Sequence, residues 1–205
     1  MKAFILYVLM LFTWTTMASQ TGTLPTMEQL ISEANQANWE KSVQHSLLIE
    51  ASLDEVWNYM SDSEQAKHWS VFFDHITPLP GIKDGQPGSL RRCFKYADEK
   101  GGRWDEMTIQ TIPFKKREIV TFNLQGFGHQ TLLKNQYIFV RQIYQSMGPN
   151  QTLLTFQTQR SRKANLKTRL SFGLSKSDVR DIFQKNLINI KANLEHHQRI
   201  FPWKE

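Results

Sequence analysis

The stretch SKSDVRDIFQKNLINIKANLEHH near the end of the chain carries Val179, Ile182, Phe183, Leu187, Ile190 and Leu194 at helical spacing. A helix of about twenty residues with one apolar stripe is stable only against a surface that covers the stripe. The residues before it limit what that surface can be. Ser89 to Ala97, Arg103 to Ile112, Glu118 to Gln125, Leu132 to Tyr144 and Gln151 to Lys163 read as strands, with DEKGG, GFGHQ and QSMGPN among their connections. Connections this short join antiparallel neighbours, so the strands form a meander. Laying the helix across one face of that sheet is the simplest way to bury its stripe.

One more strand and two short helices come before the meander. In SVQHSLLIEASLDEVWNYM, Val43, His45, Leu47 and Ile49 alternate with Gln44, Ser46, Leu48 and Glu50, the period of a half-buried strand. Ser52 followed by Glu55 is a capping box, and Val56, Trp57 and Met60 share one face of the helix it opens. A second helical stretch, SDSEQAKHWSVFF, follows, and then the turn-rich TPLPGIKDGQPG. The expected class is α+β, with about six antiparallel strands against a long C-terminal helix.

The chain opens MKAFILYVLMLFTWTTMAS, a lysine, an apolar run from Ala3 to Trp14 and small residues at Ala18 and Ser19. That is the layout of a secretory signal peptide, and the run is short beside the about 20 residues of a membrane span. The expected organisation is a signal peptide over 1–19, a polar segment over 20–41 and one domain over 42–200. An uncleaved N-terminal anchor is the alternative for the leader. Within 20–41, Met27, Leu30, Ile31, Ala34 and Trp39 fit either a short amphipathic helix or a linker.

The lone cysteine, Cys93, excludes an intramolecular disulfide and a cysteine-based metal site. The net charge is +6, and its densest basic run, Arg160 to Arg169, lacks the aromatic interleaving that base stacking uses. Nucleic acid is therefore not an expected partner. The run reads as a solvated strand end and loop, with weak contact to an anionic membrane surface as the alternative. None of the six histidines falls in a nucleophile or zinc motif, and GFGHQ lacks the lysine and helix of a phosphate loop. No cofactor is expected, and the domain is expected to be a monomer.

The order strand, two short helices, five antiparallel strands, long helix resembles the helix-grip fold of the START-like superfamily. This group, also termed SRPBCC, includes polyketide cyclase-like proteins and plant hormone receptors. The stretches that carry the resemblance are IEASLDEVWNYMSD, PGSLRRC, WDEMTIQTIP and NLINIKANLE, and it covers roughly residues 42 to 198. It implies an elongated, largely apolar cavity between sheet and helix for lipids, sterols, hormones or polyketides.

Gly88 to Glu106, GSLRRCFKYADEKGGRWDE, holds nine charged residues in nineteen together with Phe94, Tyr96 and Trp104. On a strand Arg91, Cys93 and Lys95 share one side and Arg92, Phe94 and Tyr96 the other. The resemblance favours Arg91, Cys93, Trp104 and Glu106 as the residues facing the cavity, where a few placed charges would orient a ligand with one polar end. The alternative is a set of exposed cross-strand pairs such as Lys95 with Asp105 or Arg92 with Glu106.

By the same resemblance Lys67 would hold an acidic ligand group, its alternative being an exposed helix lysine. Trp69 and Phe122 read as core or pocket wall, and Ile182, Phe183 and Asn186 as the helix side of the site. Tyr137, or Asn135 of the same parity, could place a polar group on a central strand.

Three functions fit these residues. The first is an exported binding or carrier protein for a hydrophobic or amphipathic small molecule. The second is a cavity enzyme of cyclase or dehydratase type using Glu106 as acid or base. The third is a protein-interaction module. The absence of a catalytic constellation favours the first, and no residue is assigned a catalytic role.

Overall fold

The structure, a computed structural model, describes residues 26–37, 39–126, 137–160 and 176–202. Its first helix, α1 (Met27–Gln36), starts at a capping box in which Thr26 accepts from the Gln29 backbone and Gln29 reaches back. A short 3₁₀ turn at Trp39–Lys41 leads into β1 (Val43–Ile49). The Ser52–Glu55 capping box then opens α2 (Leu53–Ser61), and a further turn leads to α3 (Ala66–Trp69).

Six more strands follow: β2 (His75–Pro78), β3 (Leu90–Phe94), β4 (Arg103–Ile112), β5 (Lys116–Gln125), β6 (Ile138–Gly148) and β7 (Gln151–Arg160). The chain returns through α4 (Lys176–His196). All seven strands form one antiparallel sheet in the order β1-β7-β6-β5-β4-β3-β2. The sequence pattern points to about six strands, and the additional one is β2. It is four residues long, lies at the sheet edge and ends at Pro78, so it offers no alternating run to read. The expected leader over 1–19 and residues 161–169 of the basic run lie outside the described residues.

The sheet has two covered faces. On the inner face α4 contributes Phe183, Leu187 and Ile190 to a core with Ile49, Leu154, Phe156, Cys93 and Trp104, closed by Trp57 and Met60 of α2 and by Trp69 of α3. On the outer face α1 lays Leu30 and Ala34 on Met107, Ile109, Val120, Phe122 and Phe139. Trp39 anchors this cover: its indole donates to the Ala34 carbonyl at 3.1 Å and carries the Arg141 guanidinium 3.8 Å from its ring centroid.

At the far end of the β3–β4 and β4–β5 strands, Gly126 meets the hairpin turn so closely that a Cβ there would lie 2.1 Å from the Gly101 carbonyl oxygen. Only glycine fits that approach. Among the described residues no helix is long and apolar enough to cross a membrane.

Candidate functional site

The β3–β4 register decides which charges face α4. Arg91 stands opposite Glu106 and Cys93 opposite Trp104, on the inner face, while Arg92 stands opposite Asp105 on the outer face. Arg91 donates through Nε to Glu106 Oε2 at 2.8 Å, and its Nη2 lies 2.7 Å from the same oxygen. The Trp104 indole donates to the other oxygen, Oε1, at 3.0 Å. Both carboxylate oxygens are thus engaged, in a site where the two charged side chains are 11% and 12% exposed. An ion pair so far removed from water is stable only with such additional hydrogen bonds.

Burial opposes the Arg91 charge, but the Glu106 carboxylate and its hydrogen bond, together with Cys93 and Asp84, outweigh it, so its pKa lies above the usual arginine range. Cys93 is fully buried beside the pair, and burial, reinforced by the Glu106 charge, pushes its thiol well up. It therefore stays protonated and is no nucleophile. Aromatic side chains frame the group: Trp104 lies 5.5 Å from Phe72 and 5.6 Å from Phe73, ring centre to ring centre, and Phe73 meets Trp69.

Of the other residues singled out from sequence, Trp69 is buried in the inner core against Phe156, and Phe183 meets Phe156 from α4 at 5.6 Å. Ile182 packs against the same core, half-buried. Asn186 is buried, and its Oδ1 accepts from the Val71 backbone N–H at 2.8 Å. It ties α4 to the segment after α3, so its side chain is committed to the fold.

Three more of these residues lie apart from the Arg91–Glu106 group. Lys67 is half exposed and pairs with Glu64 at 3.4 Å on the helix surface, away from the inner face. Phe122 packs in the outer core under α1, because β5 alternates and it is Thr121 that stands opposite Glu106. Tyr137, just before β6, packs against that outer core too, 6.5 Å from the Phe139 ring. Asn135 lies outside the described residues.

The sequence reading missed Arg117. It lies on the inner face of β5, two and four residues before Ile119 and Thr121, and is 2% exposed. Its Nη1 donates to the Met60 carbonyl at 2.8 Å and its Nη2 to Ser61 Oγ at 2.7 Å, with the guanidinium 5.1 Å from the Trp57 ring. Burial lowers its pKa from the usual arginine value. The alternation KREIVTF carried the signal, but a strand begun at Glu118 left Arg117 out.

Among the described residues no group of three or more His, Cys, Asp or Glu side chains gathers to hold a metal. No protein-family model matches the chain, and no curated protein matches it in sequence. Solved structures match in fold. DynU16, a protein of the dynemicin biosynthetic locus, aligns with a TM-score of 0.56 at 15% identity over 80% of this chain. The chain spans about half of DynU16, 51% of its length.

Norcoclaurine synthase from Thalictrum flavum, solved as a point mutant with a transition-state analogue, aligns with a TM-score of 0.53 at 16% identity, covering 77% of this chain and 95% of the synthase. Ara h 8.0201 aligns with a TM-score of 0.54 at 12% identity, covering 75% and 94%. With one antiparallel sheet, two short helices after the first strand and a long final helix on the inner face, the chain shares its fold with these solved structures, the helix-grip arrangement that the sequence resemblance implies.

Proposed function

We propose that the protein binds or carries a hydrophobic or amphipathic small molecule between sheet and α4, with the ligand's polar end at Arg91 and Glu106. The observation that carries this reading is the buried Arg91–Glu106 pair set among Trp104, Phe72 and Phe73. An apolar surround with one placed charge pair suits a ligand with one polar end, since a carboxylate or hydroxyl can take over one partner of the pair. The fold supports ligand binding in general: norcoclaurine synthase has been solved with dopamine and hydroxybenzaldehyde. Export through the apolar leader belongs to the same proposal.

The enzyme reading asks Glu106 to exchange a proton with substrate. Its two oxygens already accept from Arg91 and Trp104, which holds the carboxylate as an anchor and favours binding over turnover. The interaction-module reading rests on the basic run Arg160 to Arg169, of which 161–169 lie outside the described residues, and on the N-terminal segment.

Tryptophan emission tests the proposal, because Trp69 and Trp104 lie in the inner core. Titration with fatty acids, sterols and polyphenols should give saturable changes. Arg91→Met should weaken an acidic ligand by about tenfold or more, the loss expected for a charge-assisted hydrogen bond. Silence across the panel, or an affinity indifferent to Arg91→Met for every acidic ligand, would overturn it.

A further inference from the structure

A groove of about 570 Å³ runs between α2, the 79–89 loop and the β4–β5 hairpin. Four charged side chains line it, Arg117 and Lys83 as cations and Asp62 and Asp84 as anions, together with Trp57 and Thr111. The set sums to zero, so the groove is no general anion trap. Two of its buried atoms lack partners. Arg117 Nε–H has no acceptor, and Asp84 Oδ1 has no donor.

Everything else about these two side chains is fixed. The Arg117 terminal nitrogens are held by Met60 and Ser61, and Asp84 takes the Ser63 hydroxyl on its other oxygen. Among the described residues no carboxylate lies within ion-pair distance of Arg117. A buried cation without a bonded anion, and a buried carboxylate oxygen without a donor, each cost free energy until a partner arrives. Asp62 is occupied in a different way, accepting from the Glu64 backbone and the Gln65 amide.

We infer that this groove is a second ligand site, for a small zwitterion of the amino-acid type. The ligand carboxylate accepts from Arg117, with Lys83 at the exposed rim adding attraction, and the ligand ammonium donates to Asp84. Trp57 and Pro113 give its side chain an apolar wall. Asp84 stands on the 79–89 loop itself and both unpartnered atoms are shut off from solvent, so the ligand loads when this loop lifts. The loop packs against the guanidinium at Gly85, whose φ of 76° calls for glycine, while a Cβ there would make only ordinary contact, 3.5 Å from Arg117 Nη2. The groove's lining does not include Arg91 or Glu106, although Arg91 lies close enough to feel the Asp84 charge, and the inference does not depend on the reading given above for that pair.

Calorimetric titration of the full chain with the common α-amino acids, and with propionate and propylamine as half-ligands, tests the inference. At least one amino acid should bind about tenfold or more tighter than either half-ligand, as expected where each buried partner must be satisfied. Arg117→Gln and Asp84→Asn should each remove that preference. Lys83→Ala, at an exposed position, should weaken binding while leaving the fold intact. No binding by any amino acid, propionate binding as tightly as the amino acids, or a preference that survives Asp84→Asn in a folded protein would each overturn it.

Discussion

The Arg91 guanidinium and the Glu106 carboxylate face each other across the β3–β4 ladder at 2.7 Å, on the face that α4 covers, and the Trp104 indole holds the carboxylate from the other side. One residue along, Arg92 and Asp105 make a second pair at 2.7 Å on the opposite face. The alternation of the strand thus separates two chemically similar pairs into different environments.

This separation predicts unequal costs. Arg91→Met leaves the Glu106 carboxylate buried without its cation and should lower stability by about 3 kcal/mol or more. Adding Glu106→Leu to it should recover part of that loss, because the uncompensated charge is then gone. Arg92→Met should cost less, about 1 kcal/mol, because the Arg92 side chain is 31% exposed and Asp105, though buried, keeps the Asn123 amide as a donor. Urea midpoints of the four proteins at neutral pH measure this.

The helix-grip core makes a second prediction. Leu187, on the covered side of α4, is fully buried in the core with Phe156, Phe183 and Ile190. Leu187→Ala removes its contacts and leaves a cavity, a change that costs about 2 to 5 kcal/mol. Val179, half-buried near the start of α4, should cost less on the same substitution. Equal losses at the two positions would mean that α4 packs evenly along its length.

Alkaline pH supplies a third. Burial pushes the Tyr144 hydroxyl up to about 12, with Arg117 and Arg91 opposing, and the hydroxyl donates to Gln142 at 2.8 Å. The unfolded chain releases this proton near the ordinary tyrosine value of about 10, before the folded one does. Stability from Tyr144 is therefore complete below about pH 10 and falls as the pH rises toward 12. Denaturation midpoints from pH 8 to 11.5 should drop at the top of this range, and the drop should be smaller in Tyr144→Phe.

Much of this architecture is legible in the order of residues, and the reasons are local. The Ser52–Glu55 box, the α4 stripe and the alternating strands are each written in a short window, so their structure follows from nearby spacing. The β3–β4 register was not, because Arg91 with Glu106 and Arg92 with Glu106 are both compatible with a strand pattern. Pairing between strands decides it.

The outer cover explains where Phe122 and Tyr137 lie. Phe122 and Tyr137 are apolar or aromatic on central strands, which from sequence alone points to the face of the long helix. The α1 helix gives the other face a core of its own, so alternation could not say which core each residue joins. Lys67 stands at the surface for a simpler reason, since three residues before it stands Glu64 and the two pair there. Arg117 escaped notice because an arginine next to two lysines in PFKKR reads as a solvated turn, whereas α2 folds over it.

The central claim is that the inner face around Arg91 and Glu106 holds a small amphipathic molecule. Mass spectrometry of the protein purified from its own source, recorded intact under native and then denaturing conditions, tests it most directly. The account predicts a native mass that exceeds the denatured one by a single small molecule, and loss of that excess in Arg91→Met while the chain stays folded. Equal native and denatured masses, together with no uptake from a panel of fatty acids, sterols and polyphenols, would contradict it.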